Sequence, residues 1–385
     1  MGRRIYLDYN STTPVDGRVV EAMMPAFSEN FGNPSSESHD TGRAARVMVD
    51  EARAGVAAIV KRDPQDVIFT SGATEANNLA IHGIAAGLGR PMRAAVISTE
   101  HKSVLEPYRA LEREAGADVR YVPVSGDGLP ETDWLEEIPD GSLDMVSVAA
   151  ANGETGVINP VGEIAGAAHR KGALVHCDAT QIIGKSESNA GLLDTDMITF
   201  SSHKIYGPKG CGALVAARDV RRRRLRGVVH GGGQEDGLRS GTLNVPAIVG
   251  FGAACKIAAP ESPGEAGRQG RLRDTFEDLM ISKIPGAEIN GRSATRLPNT
   301  SNIRIPGAFA DAVIANAPDV EISTGSACTS STMEPSHVLV AMGLNHDAAN
   351  ECIRVSIGRQ TTGDDITSAA SAIDRAAAFV IGKGI

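Results

Sequence analysis

The sequence predicts an α/β protein, with a large domain built on a mainly parallel sheet and a smaller α+β domain after it. Two observations carry the prediction. From about Asp66 to Ala217 seven short apolar runs, "VIFTSG", "AAVIST", "VRYVPV", "LDMVSVAAAN", "ALVHCDAT", "MITFSSH" and "CGALVAA", alternate with helix-like segments. Strands that alternate with helices build parallel sheets, and such sheets collect ligands beyond their strand ends. After about Pro246 the pattern changes to long helical stretches in which "TSNIRIP", "DVEISTG" and "CIRVSIG" are the only convincing strands. Gly and Pro are frequent, 43 and 19, but no repeat or low-complexity linker separates the two patterns, so the domains are expected to pack closely.

The chain has 385 residues, 42% of them hydrophobic, enough for two or three domains with a full core. Its net charge of −9 argues against direct nucleic-acid contact over its main surface, because phosphate binding needs a positive footprint. One stretch runs the other way: "RDVRRRRLR", from Arg218 to Arg226, holds six arginines in nine residues. Such a run is either a solvated helix face or a contact for an acidic partner. The five cysteines lie at least 24 positions apart, which gives no disulfide framework and no paired metal knuckle and fits a reducing cytoplasm. The histidines His82, His230 and His337 have no metal-ligand spacing, so no metal is expected. No run reaches the length of a bilayer span, and "MGRRIYLDYN" has neither the apolar stretch of a signal peptide nor the Ser or Thr at position 6 that myristoylation needs.

The strand ends form a chemical inventory. In "VIFTSGATEANNLAIHG" a strand enters Ser71-Gly72-Ala73-Thr74 and a helix begins near Glu75. A glycine turn before a helix N-terminus offers free N–H groups and a hydroxyl, an arrangement suited to phosphate; a plain N-cap accounts for Thr74 equally well. "ALVHCDATQ" ends a strand with Asp178, followed by Gln181. A carboxylate there needs a partner, either a protonated ring nitrogen or a hydrogen bond from a neighbouring loop. His176 and Cys177 before it alternate faces, and core packing accounts for both. In "MITFSSHKIYGPKG" Lys204 follows an apolar strand and Ser201-Ser202-His203. Desolvation makes a lysine amine neutral and nucleophilic, as Schiff-base chemistry requires. A carboxylate, a lysine and a phosphate cradle at three strand ends match the ring nitrogen, aldehyde and phosphate of pyridoxal 5′-phosphate.

A further stretch, "STGSACTSSTMEP" from Ser323 to Pro335, sets Cys328 among Ser, Thr and Gly. Buried free cysteines keep apolar company. Cys328 does not, and its neighbours predict a flexible, solvated loop. An exposed thiol of this kind is either reactive or incidental. Cys211, Cys255 and Cys352 lie in apolar surroundings and read as structural.

Ten motifs, spread in order over nearly the whole chain, resemble the NifS/IscS-type cysteine desulfurases. They are "YLDYNSTTP" (6–14), "FGNPSS" (31–36), "FTSGATEANNLAI" (69–81), "TEHKSV" (99–104), "NGETG" (152–156), "HCDATQ" (176–181), "SSHKIYGPKG" (201–210), "GGGQEDGLRSGT" (231–242), "STGSACTS" (323–330) and "RVSIG" (354–358). The resemblance implies the aspartate-aminotransferase fold (fold type I of the pyridoxal-phosphate enzymes), with a seven-stranded mainly parallel sheet. It implies a large cofactor-binding domain over 15–250 and a small domain, made of 1–14 and 251–385, that carries the Cys328 loop.

Residue by residue, the resemblance implies that Lys204 bonds the cofactor aldehyde and moves a substrate proton, that Asp178 pairs with the ring nitrogen, and that Gln181 bonds the phenolic oxygen. His101 would stack on the ring and take part in proton transfer. Ala73, Thr74, Ser201 and His203 would hold the phosphate, with Thr242 reaching in from the second subunit of a homodimer. Asn152 and Arg354 would hold the carboxylate of L-cysteine, and a guanidinium fork suits that task on geometry as well. Cys328 would be the nucleophile that takes the sulfur as a persulfide and hands it to a sulfur-acceptor protein, its loop resembling that of the longer-looped members.

Two departures stand out, the first bearing on the dimer-edge contacts and the second on the sulfur acceptor. Gln234-Glu235-Asp236 stands where housekeeping members usually have His-Glu, and the chain ends at Ile385, without the tail that docks an iron–sulfur scaffold in those members. Sulfur-insertion proteins of DNA phosphorothioation (the DndA type) or of tRNA thiolation are therefore expected as acceptors beside the iron–sulfur scaffold. The rival readings are a selenocysteine lyase or other enzyme of the same fold, which needs no Cys328 loop, and a non-catalytic DNA- or protein-binding adaptor using Arg218 to Arg226.

Overall fold

The computed structural model of the chain describes residues 4–186, 191–324 and 335–383. Among them run twelve strands: β1 (Ile5–Tyr6), β2 (Val67–Thr70), β3 (Arg93–Ile97), β4 (Asp118–Val122), β5 (Met145–Ala149), β6 (Leu174–Asp178), β7 (Met197–Ser201), β8 (Gly212–Ala216), β9 (Glu288–Ile289), β10 (Thr300–Arg304), β11 (Val320–Glu321) and β12 (Cys352–Ser356). The seven apolar runs are β2 to β8, and they form one sheet in the order β2-β8-β7-β6-β5-β3-β4. Strands β3 to β7 pair in parallel, whereas β8 is antiparallel to both β7 and β2. The central strands β6 and β7 bury every residue, as parallel strands covered by helices on both faces do. One face packs against Val49, Val56, Phe251 and Ala254, the other against Leu79, Ile84, Val104 and Tyr108.

The reversal at β8 has a consequence for chemistry. Since β2 and β7 are both antiparallel to β8, β2 points the same way as β7, and the segments that follow β2, β3, β5, β6 and β7 all open on one rim of the sheet. Ligands of open α/β sheets gather at such a rim.

Beyond the sheet, β12, β10 and β9 form a three-stranded antiparallel sheet and β1 pairs in parallel with β11. β1 and β9 escape the sequence reading because two residues are too few to display an alternation. A separate core of Leu7, Phe276, Ile303, Ile353, Ile366 and Val380 lies under this part. The helix Val245–Lys283 joins the two regions, giving Phe251 to the large core and Phe276 to the small one. The segment after β1 crosses between them. Asn10 N–H donates to Ser356 Oγ (2.9 Å) and Thr13 N–H to the His203 carbonyl (3.1 Å), which lays "YLDYNSTTP" over the functional rim.

Candidate active site

The rim starts with an uncapped helix. Helix Ala73–Leu88 begins after Gly72, and no side chain caps its first turn, so its leading N–H groups face outward from the strand end. Thr74 is the second residue inside the helix, which excludes the N-cap reading; Gly72 occupies that position. The neighbouring start of β8 requires glycine: a Cβ on Gly212 would stand 2.6 Å from the Gly72 carbonyl carbon and 2.9 Å from the Phe200 oxygen. The absent side chain lets the helix start and Ser201 approach each other. His203 lies on the same side, its Nδ1 3.1 Å from Thr12 Oγ1. Burial, with Lys204, Lys209 and Lys185 nearby, pushes its pKa down to about 4, so the ring is neutral at neutral pH.

Asp178 ends β6, buried at 6% exposure. Its Oδ1 accepts from Thr180 N–H (2.9 Å) and its Oδ2 from Asn77 Nδ2 (2.9 Å). Behind Asn77 stands a file of hydrogen bonds with no solvent access. Tyr108 OH lies 2.6 Å from Ser147 Oγ, which lies 3.0 Å from His176 Nδ1; His176 Nε2 lies 3.2 Å from Thr199 Oγ1, and that hydroxyl donates to Asn77 Oδ1 (2.5 Å). The last donation fixes the rest: Thr199 accepts from His176 Nε2–H, leaving His176 Nδ1 to accept from Ser147, which accepts from Tyr108. His176 lies in the core, as the sequence reading has it, and is also a link in this file. Burial holds its pKa at about 4, keeping it in the neutral form this direction needs.

The second Asn77 amide hydrogen reaches Ser103 Oγ (2.9 Å), and Ser103 Oγ lies 2.8 Å from His101 Nδ1. His101 caps the helix Lys102–Ala115, accepting the Ser103 N–H on the same Nδ1 (3.0 Å), so the neutral ring carries its proton on Nε2. Although the ring is open to the rim, desolvation by the walls, with Lys204 and His337 nearby, outweighs Asp178 and Glu154 and holds its pKa below the ordinary value.

Lys204 follows β7 and donates from Nζ to the carbonyls of Asn10 (2.5 Å) and Ser11 (2.6 Å). Gln181 Nε2 donates to the same Asn10 carbonyl (3.1 Å). Arg354, on β12, donates to Asp8 Oδ1 (2.7 Å), Ser11 Oγ (2.9 Å) and the Gly153 carbonyl (3.3 Å). Asn152 spends most of its amide on its own turn: Oδ1 accepts from Glu154 N–H and Thr155 N–H, and Nδ2 donates to the Thr99 carbonyl (3.0 Å), leaving one amide hydrogen. The "YLDYNSTTP" segment is thus the strap that draws Lys204, Gln181 and Arg354 together.

Two predicted features lie away from these contacts. Thr242 is exposed, in the segment 231–242, away from these contacts. Beside that segment opens a cleft of about 920 Å³ lined by Arg46, Arg53, Arg222, Glu235 and Leu243, among others, which holds none of the rim residues. The arginine run forms the short helix Arg218–Arg223, where Arg221 pairs with Asp236 and Arg223 with Asp219. Cys328 lies outside the described residues. The four described cysteines, Cys177, Cys211, Cys255 and Cys352, are buried free thiols whose pKa burial raises, to about 12 for Cys211 and Cys352, and none has thiolate character.

The sequence reading missed Asn77, Asn10, Asp8 and Lys185. Pyridoxal 5′-phosphate fits the donors and acceptors present. An uncapped helix N-terminus with Ser201 and His203 beside it suits a phosphate, Asp178 with both oxygens held in place suits a protonated ring nitrogen, and the Lys204 amine suits an aldehyde. Among the described residues no cluster of His, Cys, Asp and Glu could hold a metal ion, and no helix is long and apolar enough to cross a membrane.

The chain is 43% identical over 364 residues to "Cysteine desulfurase IscS 1" of Archaeoglobus fulgidus, covering 94% of each chain. A solved NifS-like protein superposes with a TM-score of 0.89 at 34% identity, covering 98% of this chain and all of the other. DndA from Streptomyces lividans superposes with a TM-score of 0.76 at 35% identity, over 90% of this chain and 97% of that one. The aminotransferase class-V family model matches residues 5–368, and the chain, with its lysine, carboxylate and helix N-terminus on one rim of a seven-stranded sheet, belongs to that family.

Proposed function

We propose that the protein is a pyridoxal-phosphate-dependent cysteine desulfurase that converts L-cysteine to L-alanine and takes up the sulfur on Cys328 as a persulfide. The observation that carries the reading is the meeting of Lys204, Gln181 and Arg354 on the Asn10–Ser11 strap next to Asp178, in a chain whose near-full-length relatives bear that name. When bound, the cofactor supplies an electron sink that stabilises charge at the substrate α-carbon. Lys204 would hold the cofactor through its aldehyde, and its Nζ would carry the substrate α-proton. Asp178, fixed by Asn77 and Thr180, keeps the ring nitrogen protonated. His101 would face the cofactor ring and, with its proton on Nε2, would serve in proton transfer. Ala73, Thr74, Ser201 and His203 would hold the phosphate, and Arg354 with the remaining Asn152 amide hydrogen would hold the substrate carboxylate.

In the sulfur step the Cys328 thiolate attacks the substrate Sγ. The S–S bond forms as the Cβ–Sγ bond breaks, the electron pair stays on Cβ, and a proton completes the alanine methyl. L-cysteine and the Cys328 thiol thus become L-alanine and the Cys328 persulfide, with no external oxidant or reductant. The unreactive state of the four buried thiols supports Cys328 as the acceptor.

The sulfur then passes to an acceptor protein. Iron–sulfur cluster assembly is supported by the IscS name of its relatives, DNA phosphorothioation by the likeness to DndA, and tRNA thiolation is a third destination of the same chemistry. The exposed Thr242 supports a homodimer in which it completes the partner's phosphate site. The separate core of Leu7, Phe276, Ile303 and Val380 supports a small domain of 1–14 with 251–385 beside a large domain over 15–250, although Phe251, Leu297, Val338 and Leu339 pack into the core of the large sheet. Buried unpaired thiols support a reducing, cytoplasmic setting, and the net charge of −9 speaks against direct nucleic-acid contact.

The test is L-alanine released from L-cysteine by the purified protein, run beside Cys328→Ala with a reductant that discharges persulfide. Alanine from the wild type and none from a variant that keeps its cofactor is the expected result. Equal activity in both would remove Cys328 from the mechanism and favour a selenocysteine lyase or related enzyme; a wild type without cofactor or activity would favour an adaptor.

A further inference from the structure

A second buried lysine stands behind the first. Lys185 is 8% exposed, in the turn after Gln181, and its Nζ donates to Asn10 Oδ1 (2.9 Å) and Gln181 Oε1 (2.5 Å). No described carboxylate pairs with it, and the charged groups that act on it are Lys204 and Arg354, both basic. Burial and those two cations hold its pKa well below that of an ordinary lysine. Removing a lysine head from water without an ion pair is costly, so the position calls for a reason.

The reason lies in the Gln181 amide. An amide has an oxygen end and a nitrogen end of nearly equal shape, and only its partners decide which way it points. Here both ends are specified. Lys185 donates to the oxygen, and the Asn10 carbonyl, which can only accept, takes one hydrogen of the nitrogen. Asn10 is itself held in register, its Nδ2 donating to the Gly153 carbonyl (3.1 Å) and Thr300 Oγ1 (2.8 Å) and its Oδ1 accepting from Asn299 as well as Lys185. The second hydrogen of Gln181 Nε2 is then the group left for a ligand.

We propose that Lys185 is a positioning residue for the cofactor: it locks the Gln181 amide with its N–H toward the phenolic oxygen and couples that amide to Lys204 through Asn10. The assignment rests on the cofactor reading above. It gives Lys185 no contact with substrate and no proton to transfer. With the cofactor bound, its effect would run through Gln181 alone, whose oriented N–H favours the deprotonated phenolic oxygen.

The experiment uses the full-length holoenzyme. The pH midpoint of the cofactor's visible absorption band and the dissociation constant for pyridoxal 5′-phosphate are measured for wild type, Lys185→Met, Gln181→Ala and the double variant. Lys185→Met is expected to raise the midpoint by about one pH unit and weaken cofactor binding about tenfold, the size of one lost hydrogen bond to a charged group. In the Gln181→Ala background the same change is expected to add little, because the path is already cut. An unchanged midpoint in Lys185→Met overturns the proposal, as does a shift of equal size in the Gln181→Ala background, which would mark a purely structural or independent role. Should Lys185→Met not accumulate as folded protein, Lys185→Gln serves: its own amide oxygen lets Gln181 turn over, and the midpoint is again expected to rise. Thermal unfolding of each cofactor-free variant is read alongside. A wild type that shows no visible band overturns the cofactor reading itself, and this assignment with it.

Discussion

Asn77 Nδ2 donates to Asp178 Oδ2 across 2.9 Å while its other amide hydrogen reaches Ser103 Oγ, the hydroxyl that bonds His101 Nδ1. One side chain thus holds both the Asp178 carboxylate and, through Ser103, the His101 imidazole. Asn77→Ala removes a hydrogen bond to a charged acceptor, worth about 1.5–3 kcal/mol, and leaves Thr199 Oγ1 without its acceptor. The expected outcome is a cofactor dissociation constant weakened by about tenfold to a hundredfold, with alanine formation falling as well. Titration of the cofactor-free protein, followed by absorbance, measures the first. An unaltered constant would mean that Thr180 alone suffices to hold Asp178.

His176 makes the acid side of the stability profile. Its folded pKa of about 4 lies below the unfolded value of 6.5, so between these values the unfolded chain binds a proton that the native chain does not. Its contribution is complete above about pH 6.5 and is lost as pH falls towards 4, to a total on the order of 3 kcal/mol. His203, depressed to about 4 as well, adds a slope of the same sign. Denaturant unfolding at pH 5 and pH 7 is expected to show the loss, and His176→Gln to flatten it by about one proton's slope, roughly 1.4 kcal/mol per pH unit. An identical slope in wild type and variant would remove His176 from the account.

The parts of the site that ride on strand ends were legible in the sequence because a polar residue after an apolar run is visible against its background. Asp178 after "ALVHC" and Lys204 after "MITFSSH" are such residues, and the structure sets both on one rim. Asn77 was not legible. It stands next to Asn78 in a helix, and only the helix phase, which sends Asn78 back to the Thr74 carbonyl and Asn77 into the core, tells them apart. Nor was Lys185, since a lysine after a glycine reads as surface. Its burial comes from Asn10, 175 positions away, through a strap whose placement depends on β12 and β1. Pairings between distant segments leave no local period to read.

Glu100 shapes the alkaline side. It is 1% exposed; its Oε1 accepts from Ala149 N–H (2.6 Å), and Oε2 has no partner among the described residues. Burial first, and Asp178 in addition, raise its pKa to about 8. The native chain therefore keeps a proton that the unfolded chain releases above about pH 4.5, and this group's contribution is lost as pH rises to 8. Over pH 6.5 to 8, where the histidines no longer titrate, the loss is expected to reach about 2 kcal/mol. Glu100→Gln keeps a neutral group of the same shape and is expected to be more stable than wild type at pH 8 and nearly equal to it at pH 5. Unfolding free energies at the two values decide it, and a variant less stable at both would show that the ionised form is the native one.

Arg53 and Glu235 clamp the segment that carries Thr242. The guanidinium meets the carboxylate with two bonds, 2.7 and 2.9 Å, and lies 4.7 Å from the Phe69 ring centre, while the Phe69 N–H donates to the same carboxylate. Glu235 and Asp236 have φ of 50° and 56°, the left-handed region that costs a residue other than glycine about 1–2 kcal/mol. The ion pair holds that backbone in place. Arg53→Met leaves the Glu235 side chain, 2% exposed, charged and without its counter-ion, at an expected cost of about 3–5 kcal/mol. Arg53→Met with Glu235→Gln is expected to recover part of the loss, because the buried charge goes with it, but to leave amide exchange over residues 231–242 faster than in wild type, because the left-handed turn has lost its anchor. Denaturant unfolding gives the first quantity and hydrogen exchange of the segment the second. Full recovery of slow exchange in the double variant would mean that Gln234, which accepts the Gly241 N–H at 2.7 Å, and Arg221, which pairs with Asp236, hold the turn without the clamp.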